Sequence, residues 1–160
     1  MDTSPARNQD THGLFGSHPR LRGSSYRKTS CKSSSYNCMA WVVDDTERHW
    51  WPGNDPDYYW PSGIRDDDSL EAFLEFFENR GYTSCQSGTF EEGYEKVAIY
   101  AHVSEPQHIA RQLPSGQWTS KLGICDIDIE HEIEGLKGGS YGSVIMYLSK
   151  PNPLFRVQGS

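Results

Sequence analysis

The feature that most limits how this chain folds is a change of hydrophobic period near Gly81. Before this glycine, apolar side chains recur at spacings of three and four residues, namely Leu70, Phe73, Leu74 and Phe77. Such spacing is typical of a helix with one buried face. Ser69 provides an N-cap and Gly81 a C-terminal stop, so we predict a helix over residues 69–80.

After Gly81 the pattern becomes that of β-strands. Residues 96–101 are rich in β-branched and aromatic side chains, which favours a strand. The stretches 108–113 and 117–122 flank a Pro-Ser-Gly turn and predict a hairpin. A last strand is expected at 141–147, while 127–136 is either a short helix or a loop.

The segment between residues 36 and 63 contributes a second helix and a long loop. Residues 37–43 are apolar, and Ser35 or Asn37 can cap a short helix there. Residues 44–63 contain several prolines and glycines, which break helices and strands. The predicted order is helix, loop, helix and at least four strands, which is an α+β fold with an antiparallel sheet.

Composition places one domain between two tails. Residues 1–35 are rich in Ser, Arg and Gly and poor in large apolar groups, so they predict a disordered basic tail. The domain is expected at 36–150, followed by a C-terminal tail at 151–160. Hydrophobic residues are 35% of the chain, but the 12% aromatic share supplies large buried side chains.

Charge and cysteine content exclude several function classes. The net charge of −7 repels phosphate, so no nucleic-acid partner is expected. No run of about 18 apolar residues is present, so we expect a soluble, cytoplasmic protein with no membrane association. The 4 cysteines lack close CxxC pairs, which indicates reduced thiols.

A cysteine at a predicted helix start is the main candidate for chemistry. Cys38 falls in the first turn of the helix over 37–43, where free N–H groups lower a thiol pKa. His108 lies on a strand able to pack against that helix and is the candidate base. Cys31 and Cys85 are alternative reactive thiols in poorer contexts.

A metal site and a simple aromatic core are the competing interpretations. Three histidines and two cysteines would have to converge on a metal, and their spacing does not favour this: His102, His108, His131, Cys38 and Cys125. We therefore expect neither a metal nor another cofactor. The five tryptophans, including Trp118, are expected mainly to fill the core.

Sequence blocks resemble a family of small uncharacterised bacterial proteins. The shared blocks are YNCMAW, HWWPG, YYWPSG, EKVAIYA, HIARQLPSGQWTSKLG, IEH and GGSYG. The order of Cys38, the VAIY strand and His108 is also distantly similar to papain-like NlpC/P60 hydrolases. This resemblance implies N-terminal helices packed on a small antiparallel sheet, with Cys38 as nucleophile and His108 as base.

A papain-like site also has a polar residue that orients the histidine. Ser120 is our first candidate, while Gln112, Asp126 and His131 are alternatives. Asn37 is a candidate oxyanion donor, and Gln112 and Trp118 are candidate substrate contacts.

The predicted function is a cysteine hydrolase acting on a peptide or protein substrate. Cys38 would attack a peptide or carboxamide carbonyl and form a thioester, leading to hydrolysis, deamidation or acyl transfer. The alternative is a non-enzymatic module that binds a peptide or protein through the aromatic loop 49–61. A binding module would tolerate serine at position 38, whereas the enzyme would not.

Overall fold

A single antiparallel sheet dominates the computed structural model, which describes residues 13–123 and 127–156. Seven strands lie in the order β1-β6-β5-β4-β3-β7-β2. Their bounds are Tyr26–Lys28, Thr83–Cys85, Tyr94–His102, Glu105–Gln112, Trp118–Lys121, Asp128–His131 and Ser143–Pro151 for β1 to β7. Each neighbouring pair of strands is antiparallel.

The helical content of the described residues is small. Helix α1 is Cys38–Val42 and helix α2 is Leu70–Asn79, and two 3₁₀ helices span Pro19–Gly23 and Ile133–Leu136. Helix α2 confirms the prediction over 69–80, since Ser69 accepts from the Ala72 N–H and Gly81 has φ 93°. None of the helices in the described residues is long and apolar enough to cross a membrane.

The predicted papain-like fold is wrong. The sheet has seven strands rather than being small, and α1 and α2 contain only 5 and 10 residues. Three of the strands, β1, β2 and β6, are three or four residues long and pair with partners distant in sequence. Such short segments carry little strand signal of their own, because their pairing depends on neighbours supplied by the rest of the fold.

The two faces of the sheet pack against different parts of the chain. On the helical face, Val97, Ile99, Ile109 and Leu148 pack against α1, α2 and the tryptophan-rich loop. On the histidine face, Ala98, Tyr100, Ala110 and Ile129 pack with Trp118 and with segments before β1 and after β6. Adjacent strand residues alternate between these faces, so His108 lies on the face opposite Ile109.

The domain boundaries also differ from the prediction. Within the expected disordered tail, residues 13–35 include a 3₁₀ helix and β1, and Leu21 is fully buried. Residues 1–12 lie outside the described residues. Strand β7 ends at Pro151 and Phe155 is buried, so ordered packing extends into the predicted C-terminal tail. Leu21 packs in the core on the histidine face, and the ring of Phe155 stacks on that of Phe90, so burial of apolar surface holds both segments in place.

Candidate active site

The candidate site lies where β4 and β5 separate. The two strands form the predicted hairpin, but they pair only at Arg111↔Thr119 and Gln112↔Trp118. From Ala110 back to Glu105, β4 pairs with β3 alone. Helix α1 packs across β4 and β5 on the helical face. The separation therefore leaves a gap in the sheet directly beneath the start of α1.

Cys38 is the first residue of α1 and reaches this gap. Its thiol is buried and meets the backbone of Ile109, the β4 residue directly after His108. Burial raises the pKa of Cys38 to about 11, although backbone N–H groups of Ile109, Met39 and Cys38 and the charge of Lys121 oppose the rise. The lowered pKa expected from the helix start is thus not found, because α1 is short and the thiol is shielded from water.

A chain of hydrogen bonds crosses the same gap on the histidine face. His108 Nε2 lies 2.9 Å from Ser120 Oγ, and Ser120 Oγ lies 2.7 Å from His131 Nε2. His131 Nδ1 in turn lies 2.7 Å from the carbonyl oxygen of Glu132. The chain links β4, β5 and β6, and its three side chains are fully buried.

The carbonyl at one end sets the direction of every proton in this chain. The Glu132 oxygen can only accept, so His131 Nδ1 carries a hydrogen and its Nε2 is a lone pair. Ser120 then donates to His131 and accepts from His108 Nε2–H. His108 is thereby held in the tautomer whose Nδ1 is an unprotonated lone pair.

That lone pair has no hydrogen-bond partner among the described residues, although the atom is buried. Burial holds the pKa of His108 well below 6.5, and nearby His131 and His18 act in the same direction. Burial likewise lowers the pKa of His131 to about 4. Both rings are therefore neutral near pH 7. The Nδ1 lone pair of His108 is unprotonated and can accept a proton.

The ring of Tyr141 stacks on the ring of His108 and fixes its orientation. The two rings stack with centroids 4.0 Å apart and planes 2° apart, and His18 packs on Tyr141 at 4.6 Å. Tyr141 lies in the GGSYG block, but the sequence pattern predicts no role for it. A lone tyrosine in a glycine-rich segment has no periodic signal, so only the fold brings it to the histidine.

A cavity of about 240 Å³ lies beside the start of α1. It is lined by Asn37, Cys38, Trp51, Tyr58, Gln107, Gly123 and Tyr141. Gln107 precedes His108 on β4, and Gly123 follows β5, so the cavity occupies the open end of the gap between the strands. Cys38 and Tyr141 both line this cavity, and the ring of Tyr141 stacks on that of His108.

Asn37 lines the cavity, but its side chain already forms three hydrogen bonds to backbone groups. Its Oδ1 accepts from the N–H groups of Ala40 and Trp50, and its Nδ2 donates to the Trp50 carbonyl at 2.8 Å. This arrangement caps α1 and ties the loop to it. The oxyanion role expected for Asn37 is thus secondary to an N-cap.

Gln112 and Trp118 lie at the other end of the hairpin. They face each other in register, and Gln112 Nε2 donates to the Gly88 carbonyl at 2.9 Å. Trp118 is buried on the histidine face. The structure does not bring either residue to the thiol cavity, so their predicted substrate contacts find no support. Asp126 and Cys125 lie outside the described residues.

The aromatic loop 49–61 divides into core and cavity wall. Trp50 and Trp60 are 5% and 8% exposed and pack on Phe76 of α2. Trp51 and Tyr58 line the thiol cavity instead. Tyr59 is 37% exposed, so the loop keeps two rings in the core, two on the wall of the cavity that Cys38 lines, and one at the surface.

The fold and site define a domain built on an antiparallel sheet, with a buried cysteine and an oriented histidine at a gap between strands. The family model described as Domain of unknown function (DUF7689) matches residues 27–149, most of the chain, so the chain belongs to this family. No curated protein and no solved structure matches it. The expected similarity to NlpC/P60 hydrolases finds no support in these comparisons.

Proposed function

We propose that this domain is a cysteine hydrolase or acyltransferase in which Cys38 attacks a carboxamide or peptide carbonyl. The observation that carries the proposal is the buried, unpartnered Nδ1 of His108, which is the β4 neighbour of the residue whose backbone meets the Cys38 thiol, Ile109. A buried acceptor without a partner costs about 1–3 kcal/mol, and such a cost is commonly retained where chemistry needs it.

The thiol and the imidazole are both neutral at rest. Because the pKa of Cys38 is raised to about 11 and that of His108 is depressed, no thiolate-imidazolium pair is formed before substrate binds. The thiol proton moves to His108 Nδ1 as sulfur attacks, and the carbonyl carbon becomes bonded to Sγ. His108 then gives that proton to the leaving amine.

His108 is also the base in the second step, in which the thioester is cleaved. His108 Nδ1 takes a proton from water, or from an acceptor nucleophile, and the new oxygen or nitrogen bonds to the carbonyl carbon. The sulfur leaves and recovers the proton. Ser120 and His131 keep Nε2 of His108 occupied as a donor throughout, so the proton can only be received at Nδ1.

An activated ester tests the proposal without a known substrate. The Cys31→Ser, Cys85→Ser and Cys125→Ser triple variant retains Cys38 alone and is mixed with p-nitrophenyl acetate. We expect a burst of nitrophenolate and one acetyl group on Cys38, located by peptide mass spectrometry. Adding His108→Ala should slow acetylation by about 100-fold or more. His102→Ala is the control, because His102 is an exposed histidine at the end of β3.

The pH profile separates a paired thiol from an ordinary one. An unassisted thiol with pKa about 11 should react about tenfold faster for each pH unit up to that value. With His108 as base, the rate should instead be level from about pH 7 upward, since Nδ1 is already free. A tenfold rise per unit in the His108-containing protein, or equal rates with and without His108, would show that Cys38 is an inert buried thiol.

A further inference from the structure

A second cavity, of about 350 Å³, lies at the opposite end of α1 from Cys38. Its walls come from the end of α1, the end of α2, the strands β3, β4 and β7, and the segment after β7. Three cationic side chains line it, Arg80, Arg111 and Lys150. Its two carboxylates are Glu95 and Asp44. This site has no part in the chemistry proposed for Cys38.

Each of the three cations is held over an aromatic ring rather than against a strong carboxylate partner. Arg80 lies 4.8 Å from the ring centre of Phe76, Arg111 lies 5.5 Å from Trp41, and Lys150 lies 5.0 Å from Tyr82. Neither Arg80 nor Lys150 forms an ion pair with a described carboxylate. Stacking on rings fixes the position of a cation while leaving its N–H donors available.

Of the three cations, Arg111 has the most clearly unsatisfied hydrogen-bond donor. Its Nε is buried and has no hydrogen-bond partner among the described residues. Within the described residues, its guanidinium forms an ion pair with Asp44 at a loose 3.6 Å, and the side chain of Asp44 is 82% exposed. A buried guanidinium nitrogen without an acceptor is costly, and an oxyanion is the acceptor whose geometry matches its donors.

The carboxylate in the floor of the cavity is already engaged. Glu95 accepts from the Tyr82 hydroxyl at 3.0 Å and from Asn152 Nδ2 at 2.8 Å. Burial and Glu95 raise the pKa of Tyr82, whereas Arg111 and Arg80 oppose the rise, so both guanidinium groups act on its hydroxyl. All three cations line the same cavity, and they outnumber its carboxylates by one.

We infer that this cavity binds an organic phosphomonoester. Its phosphate would accept from Arg80, Arg111 and Lys150, whose three cationic heads match its three oxygens and its charge of about −1.5 to −2. The organic group would contact the apolar rim formed by Val42, Val43, Phe77, Leu154 and Phe155. A carboxylate ligand would leave at least one of the three cations unpaired.

Calorimetric titration of the full chain with phenyl phosphate tests the inference. We expect saturable binding that is weakened about tenfold to a hundredfold in Arg111→Gln and in Lys150→Gln. Arg48→Gln is the matched control, because Arg48 lies 3.7 Å from the Tyr59 ring, also over an aromatic face, but outside this cavity. Circular dichroism of each variant verifies that the fold is retained.

Three outcomes would overturn the inference. Phenyl phosphate could fail to bind the unmodified chain, or Arg48→Gln could weaken binding as much as Arg111→Gln. Inorganic phosphate could bind as tightly as phenyl phosphate, which would show that the apolar rim is not used and that the ligand is the free ion. Acetylation of Cys38 is unaffected by any of these results, so this inference and the proposed enzyme fail separately.

Discussion

The helical face and the histidine face of the sheet both carry a buried core, but their buried polar groups are paired in different ways. On the helical face, the indole N–H groups of Trp41, Trp50 and Trp60 each donate to an oxygen at 2.7–3.0 Å. On the histidine face, a chain of three polar side chains crosses the core and ends on an unpaired nitrogen of His108.

This difference separates stability from function. The tryptophans of the helical face satisfy their indole N–H groups locally, because an unpaired buried group lowers stability. The histidine face keeps three buried polar residues where apolar side chains would pack at lower cost. That retained cost, together with the nearby thiol, favours a chemical role for the histidine face, whereas the indole hydrogen bonds of the helical face serve stability.

The largest effect is expected from breaking the helical face at its centre. Phe73 is fully buried and its ring lies 4.9 Å from Trp51 and 5.6 Å from Trp60. Phe73→Ala should lower the free energy of unfolding by about 3–5 kcal/mol, measured by urea denaturation. Tyr94→Ala, at a tyrosine that is 37% exposed, is the control and should change it by about 0.5 kcal/mol or less. Similar losses in both would contradict the assigned core.

The histidine face should respond next most strongly, and to pH. His131 has a folded pKa of about 4, below its ordinary 6.5, so the unfolded chain binds a proton first as pH falls. Its contribution is complete above pH 6.5 and is lost between pH 6.5 and 4, amounting to about 3 kcal/mol. His108 acts in the same direction.

Urea denaturation at the two ends of this pH window measures the effect. His131→Gln keeps a donor and an acceptor but has no proton to gain, so its stability should depend less on pH than that of the unmodified chain. His102→Gln, at an exposed histidine, should leave the dependence unchanged. An equal pH dependence in all three proteins would mean that His131 is not held neutral by burial.

Removing the middle of the hydrogen-bond chain should have an intermediate effect. Ser120→Ala leaves two buried ring nitrogens without a partner, so we expect a loss of about 1–3 kcal/mol in unfolding free energy. Acetylation of Cys38 should also slow, because His108 is no longer held in one tautomer. Ser149→Ala, at a buried serine on β7, should leave acetylation unchanged. Unchanged acetylation in Ser120→Ala would limit the chain to a structural role.

The smallest effect is expected at a satisfied group on the helical face. Trp41 Nε1 donates to Thr119 Oγ1 at 3.0 Å, so Trp41→Phe should cost about 1 kcal/mol by urea denaturation. Thr119→Val removes the acceptor instead and should cost at least as much, because it leaves a half-buried N–H unpaired. A smaller loss in Thr119→Val would show that water replaces the threonine.

Local pattern was sufficient for several elements. Helix α2, strand β3 and the β4–β5 hairpin follow from hydrophobic period, the Ser69 cap and the turn residues 114–116, and the structure confirms them. These signals are local because caps, turns and alternating side chains act over a few residues. Cys38 at the start of α1 was predictable for the same reason.

The short edge strands and the site required the tertiary structure. Strand β1 is visible only through its pairing with β6, and β2 only through β7. Among the residues considered as a third group, sequence could not choose, whereas the fold joins Ser120 and His131 in one chain. The pKa of Cys38 is raised, whereas the sequence predicts that it is lowered, because burial outweighs the N–H groups of a five-residue helix.

By itself, then, the sequence determined one domain with α2, β3 and the hairpin, and a cysteine at a helix start with a histidine on a strand. Only the tertiary structure decided the number of strands, the gap between β4 and β5, the tautomer of His108 and the convergence of three cations on the second cavity. These properties depend on residues far apart in the chain, whose distances are set by sheet pairing and packing rather than by local conformational preference.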